Sequence, residues 1–264
     1  MSGGDPGPLA AALVALAAPW GWAALLVFLR AGAVAALAPG FGEQSVPPRI
    51  RLAVALAFTL CILPAVAAEV PVPPARAPGL RMAAAEVLAG LVFGLALRLM
   101  VLALQTAGAI AAQSVSLAQI AGGGIAADPA PAAGHLLVVG GIALAMAAGL
   151  HLRLAAYLIE SYAIIPAGTL PAAAAVAAAG TGAVAHAFAL AFSLALPFVI
   201  AALLYNVALG IINRAMPQLM VTFIGAPFLT GGSIVLLMAT APVMLALWTG
   251  ALERGLAAPF AVPP

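Results

Sequence analysis

The chain reads as about six long apolar regions set apart by proline- and glycine-rich breaks, and this pattern limits its fold more than any other feature. Roughly 20 apolar residues suffice to cross about 30 Å of hydrocarbon as a helix, because a helix satisfies its own backbone polar groups. The regions run 9–38, interrupted by Pro19 and carrying Arg30; 50–68; 82–112; 135–165, with His151, Arg153 and Glu160 inside; 172–213; and 217–252. The fifth is far too long for one simple crossing, and Gly180, Gly182 and Pro197 offer places to break it. The sixth contains Pro227, Pro242 and Gly231–Gly232. A turn at Pro39–Glu43 and a loop with Pro71, Pro73, Pro74, Pro78 and Gly79 punctuate the first half. The expected fold class is an all-α membrane protein, one domain over residues 1–264, with no short repeat.

Charge excludes the other broad classes. Only 6% of the residues are charged against 66% hydrophobic, too few to cover a soluble globule, where about a quarter is usual. A soluble monomer, a disordered chain and a nucleic-acid binder are excluded together. The net charge of +2 offers no electrostatic steering. All nine basic residues are Arg, which removes Schiff-base, Ser–Lys and P-loop lysine chemistry. Ala contributes little transfer free energy, so these Ala/Gly-rich helices suit close packing against other helices as well as lipid. Cys61 is the single cysteine and reads as a small core hydrophobe. Nothing basic precedes Arg30, so no secretion signal is expected and the first apolar region is expected to be retained. Six crossings would put Arg76, Arg81 and Arg254 on one side and Arg49, Arg51 and Arg214 on the other. That tie leaves orientation open and points towards insertion within a larger assembly.

Polar residues inside apolar stretches are the candidates for function. Arg98 and Gln105 share a helix face at a spacing of seven, with Glu86 about 120° away. Arg153, Tyr157 and Glu160 follow i, i+4, i+7 and are expected to share a face as one hydrogen-bonded strip. Glu86, Arg98, Arg153 and Glu160 therefore form an intramembrane polar set. It reads either as a proton or ion relay or, the favoured reading, as glue between helices. His135, His151 and His186 lie too far apart for a local ligand pair, so no metal and no cofactor are expected. No serine stands in a G-x-S-x-G elbow, and Gly122–Gly124 lacks the ending of a P-loop. Enzyme chemistry is not encoded. Gly90 and Gly94 give a G-x-x-x-G spacing suited to close helix contact.

Two polar stretches stand out. Gln113, Ser114, Ser116, Gln119, Gly122, Gly123 and Gly124 read as a polar, glycine-rich loop that must line a cavity or lie buried in protein. Asn206 and Asn213 share a helix face with Arg214 beside them, and Pro217 and Gln218 follow.

At these residues the chain resembles the FliR family, a component of the flagellar type III protein export gate with relatives in virulence injectisomes. The run Leu196-Pro197, Asn206, Leu209-Gly210, Asn213-Arg214, Pro217-Gln218-Leu219, Ile224-Gly225 and Pro227 is similar to the family's C-terminal signature. Val46 to Leu52, then Glu86 with Gly90 and Gly94, Ala107-Gly108, Gly149-Leu150-His151, Ser161-Tyr162 and Pro166 with Gly168 agree in order along the chain. Met220 stands where the family often has Asn. Gln113 to Leu117 replaces a frequent Gln-Met-Gly, and Gly122–Gly124 replaces a commonly aromatic stretch.

The resemblance implies helical hairpins assembling with several FliP and FliQ subunits at the bacterial inner membrane, in the flagellar basal body, with FlhA and FlhB associated. Unfolded flagellar subunits are the implied cargo. Gln113 to Gly124 becomes the expected pore plug. Arg49, Arg51, Gly90, Gly94, Asn206, Asn213, Arg214, Pro217 and Gln218 become the expected subunit contacts. The rival from another class is a secondary transporter of a small solute using the polar set as a relay, and it would require an inverted repeat that the sequence lacks. The equivalent subunit of an injectisome is a further alternative.

Overall fold

The computed structural model describes residues 8–71, 79–120, 130–216 and 221–258. Seven α-helices and no strand appear among them: α1 (Pro8–Leu37), α2 (Pro48–Val66), α3 (Gly79–Ile120), α4 (Ala130–Ala147), α5 (Leu150–Ile164), α6 (Ala173–Ala215) and α7 (Val221–Ala257). A single 3-10 turn, Ala67–Glu69, extends α2. Five segments are long and apolar enough to cross a membrane: Trp20–Leu37, Pro48–Glu69, Gly79–Ser114, Ala173–Ala215 and Thr230–Ala257. A sixth arises if α4 and α5 are one broken span.

Local chemistry explains the ends. Pro48 opens α2, where a missing N–H costs nothing because the first turn has no partner for it. The fourth apolar region is not one helix. Gly149 sits at φ +83°, a left-handed conformation that favours glycine, and it separates α4 from α5. Ile165 is extended ahead of Pro166, as the proline ring requires, and α5 stops there.

Elsewhere the breakers do not break. Pro19 lies within α1, and Pro227 and Pro242 within α7. α6 runs unbroken for 43 residues through Gly180, Gly182 and Pro197. At 1.5 Å per residue that is about 65 Å, roughly twice the hydrocarbon thickness. The polar stretch after the third region is also helical at first, since α3 continues through Gln113, Ser114, Ser116 and Gln119 to Ile120.

The chain forms two compact units. The first comprises residues 1–98, 149–180 and 256–264. Its core gathers Leu26, Val27 and Val34 of α1, Ile62 of α2, Phe93 and Leu97 of α3, and Leu154 and Leu158 of α5. Within it α1 packs on α2 and α2 on α5. The second comprises residues 99–148 and 181–255. There α3 and α4 approach so closely that a Cβ on Gly108 would meet the backbone of Gly134. Gly141 leaves room for Trp248 and Leu104, and the buried Trp248 indole donates to the Met100 carbonyl at 2.7 Å.

Candidate functional site

The most heavily bonded place in the first unit is a buried polar cluster built on Arg30. α1 places Arg30 in the middle of the apolar window Trp20–Leu37, and its side chain is fully buried. An isolated arginine there is expensive, so its partners must come from other helices. Glu86 of α3, equally buried, supplies them as a two-pronged pair. Arg30 Nε donates to Oε2 at 2.7 Å and Nη2 donates to Oε1 at 3.2 Å.

The remaining Arg30 nitrogen turns to α5. Nη1 donates to the Ser161 carbonyl at 3.1 Å, to Ser161 Oγ at 3.3 Å and to the Ile165 carbonyl at 2.9 Å. These acceptors lie at the C-terminal end of α5, where the helix carries partial negative charge, and the Ser161 carbonyl also accepts from the Ile165 N–H at 2.9 Å. The Tyr162 ring covers the guanidinium, with Arg30 Cζ 3.8 Å from the ring centroid. The spare lone pairs of Glu86 are also filled. Tyr162 Oη donates to Oε2 at 3.3 Å, and the Gly168 N–H donates to Oε1 at 2.7 Å. Gly168 adopts φ +72° and packs on Met82, which suits glycine alone. A neighbouring bond, from Tyr157 Oη to the Phe93 carbonyl at 3.1 Å, ties α5 to α3 again.

Glycines let the two charged helices meet. A Cβ on Gly90 would come within 2.6 Å of the Arg30 carbonyl and 2.7 Å of Ala33 Cβ, and one on Gly94 within 3.0 Å of Leu37 Cβ. Both glycines are buried inside this chain. They serve close α1–α3 contact within this chain, the kind of approach their spacing suggests.

The intramembrane polar set divides instead of forming a line. Glu86 belongs to Arg30, whereas Arg98 pairs with Glu43 at 2.8 Å in a partly exposed bridge. Arg51 donates to the Glu43 carbonyl at 2.7 Å, fastening the α1–α2 turn, and Arg49 is exposed. On α5, Tyr157 is buried and donates to the Phe93 carbonyl, while Arg153 and Glu160 are exposed. Glu86 and Arg98 of this set thus have separate partners, Arg30 and Glu43.

The stretch expected as a loop divides too. Gln113 is exposed on α3 and Ser114 donates to its own helix at the Ile110 carbonyl. The backbones of Ser116 and Gln119 are helical, and Gly122, Gly123 and Gly124 lie outside the described residues. On α6, Asn206, Asn213 and Arg214 are all exposed, as are Leu203, Leu204, Val207 and Ile211 around them. Pro217 and Gln218 lie outside the described residues. No group of three or more metal-ligating side chains occurs among the described residues. Cys61 is exposed, not the core residue its apolar surroundings suggest. Beside the Arg30 cluster lies an apolar groove of about 340 Å³, lined by Val92, Ile164, Ile165, Leu170, Ala175 and Val176 among others.

Sequence reasoning missed Arg30. Its signal was present: an arginine at the centre of an apolar helix demands an acid, and Glu86 is one of few acids inside an apolar stretch.

Comparison with known proteins gives a consistent result. The profile of the family described as "Bacterial export proteins, family 1" matches residues 22–255. The flagellar biosynthetic protein FliR of Caulobacter vibrioides is 34% identical over 209 residues, covering 78% of this chain and 83% of that protein. FliR of Escherichia coli K12 is 30% identical over 221 residues, 82% of this chain and 83% of that protein. FliR of Pectobacterium carotovorum is 25% identical, over 76% of this chain and 77% of that protein.

Proposed function

The chain belongs to the FliR family of bacterial export proteins, and from that premise we propose that it is a core subunit of the flagellar type III export gate. It is a membrane-embedded component of the flagellar protein export apparatus. In the fuller reading it sits in the bacterial inner membrane at the flagellar basal body. There it joins FliP and FliQ subunits, with FlhA and FlhB alongside, to form and plug the channel for unfolded flagellar proteins. Both units act in this reading as one export-gate domain.

The observation that carries the proposal is the family match running from residue 22 to residue 255, across both compact units. Two physical features support it. The last turns of α6 expose Leu203, Leu204, Val207 and Ile211 together with Asn206, Asn213 and Arg214. Asparagine and arginine are costly against lipid and well suited to hydrogen bonds across a helix interface, so this end of α6 fits protein better than hydrocarbon. The polar residues at the end of α3, with the Gly122–Gly124 run after them in sequence, fit a plug, because polar side chains at membrane depth favour protein or a water-filled cavity over lipid.

Co-expression of the tagged chain with the FliP and FliQ of its own genome tests the reading. A detergent-stable complex of all three, with the tagged chain in the minority, is the expected result. A chain that purifies alone as a well-behaved monomer overturns it.

A further inference from the structure

Residues 149–180 enter and leave the first unit at glycines. Gly149 breaks the backbone with φ +83° and no side-chain cap, and Gly180 lies within α6 with nothing inside 4 Å of where a Cβ would be. Between them run α5, the turn carrying Gly168 and the first residues of α6.

Bonds from four residues of this segment, Ser161, Tyr162, Ile165 and Gly168, meet at one place, while Tyr157 bonds separately to the Phe93 carbonyl. The Ser161 carbonyl and Oγ and the Ile165 carbonyl accept from Arg30 Nη1, while Tyr162 Oη and the Gly168 N–H donate to Glu86. None of these bonds is the one that pairs Arg30 with Glu86. That pairing uses Nε and Nη2, and its two helices also hold each other through Gly90 and Gly94. The α1–α3 pair is therefore complete in itself, charge matched to charge. At this ion pair the segment occupies only the valences left over, while Leu154, Tyr157 and Leu158 pack it into the core of the unit.

We propose that residues 149–180 form a glycine-bounded strap latched onto the preassembled Arg30–Glu86 pair, able to release and re-engage while α1 and α3 stay packed. The apolar groove lies along this strap, with Ile164, Ile165, Leu170, Ala175 and Val176 contributed by it and Val92 by α3. Release of the latch opens the groove and uncovers the Met82 side chain against which Gly168 rests. The device is independent of whether the chain works in export, because it rests on bonds within one unit.

Hydrogen–deuterium exchange of the full chain in detergent micelles tests it. In Arg30→Met/Glu86→Leu the two apolar side chains keep the α1–α3 contact and remove the latch. Amide exchange over 150–169 is expected to rise tenfold or more, with exchange in 24–36 and 86–97 unchanged within twofold. The milder Ser161→Ala/Tyr162→Phe variant, which keeps both charges, is expected to raise exchange over 161–169 several-fold. Unchanged exchange in the strap of both variants overturns the proposal. So does an equal rise in α1 and α3, which would make the cluster ordinary core. Should the first variant fail to fold, the second decides alone by the same two outcomes.

Discussion

Arg30 and Glu86 are both fully buried, and every polar atom of the pair has a partner, which is the condition under which a buried ion pair is tolerated at all. The pair's geometry argues that its members are worth little separately. Removing one leaves the other charge in a low-dielectric site, a loss of about 3–5 kcal/mol, whereas replacing both by apolar residues of similar size is often neutral. Glu86→Leu is therefore expected to be strongly destabilised, and Arg30→Met/Glu86→Leu to regain most of the loss, as read by thermal unfolding of detergent-solubilised chain. Equal destabilisation of single and double variants would mean that shape, not charge, holds the cluster. A second comparison concerns glycines. A Cβ at Gly90 meets the Arg30 carbonyl and Ala33, so Gly90→Ala should cost about 1–3 kcal/mol through overpacking. Gly21, with nothing within 4 Å, should accept Ala with a small gain in stability in the same measurement.

At the scale of elements, the sharpest local feature is the end of α4. The sequence 135–165 is apolar enough to be one span, and only the backbone at Gly149 divides it. Alanine at φ +83° places Cβ against the following carbonyl, which costs about 1–2 kcal/mol. Gly149→Ala is accordingly expected to lower thermal stability by about that much, and Gly149→Asn by clearly less, since asparagine tolerates the left-handed region better. Equal stability of all three would place the break in packing and not in the glycine.

This position also illustrates what was legible beforehand. Apolar runs marked where the helical regions lie, because hydrophobic length is a property of the sequence alone, although the fourth run holds two helices and α3 continues well past the third. The effect of each breaker was not legible. Pro19, Gly180 and Pro197 sit inside helices, whereas Gly149 ends one, and tertiary packing decides between those outcomes. The same limit applied to the candidate site. The α1–α3 contact was foreshadowed by the spacing of Gly90 and Gly94, but which helix they face is a matter of topology. Arg30, Glu86 and the stretch from Ser161 to Gly168 are separated by tens of residues and meet only because α1, α3 and α5 share a core.

Whole-molecule behaviour depends on surfaces this chain leaves uncovered, and two predictions separate them from its own folding. The segment Gln113 to Gly124 contains the polar end of α3 and the glycine run beyond it. If it plugs a channel, deleting it should make cells expressing the assembled apparatus permeable to small solutes; intact permeability together with normal secretion removes it from the gate.

The last turns of α6 need the opposite kind of test, because an exposed arginine contributes little to the fold that carries it. Arg214→Ala is therefore expected to leave the unfolding temperature of the isolated chain within about a degree, since substitutions at such a surface usually change stability by under 0.5 kcal/mol. Co-purification with FliP and FliQ should fall several-fold, because a charged hydrogen-bond donor buried at an interface leaves its partner groups unsatisfied when it is cut away. Asn206→Ala and Asn213→Ala, about two helical turns apart on the same face, should show smaller losses with the same unchanged stability. Recovery of the complex at wild-type levels in all three variants would assign this end of α6 to lipid, and the partner surface would then have to be sought on another helix.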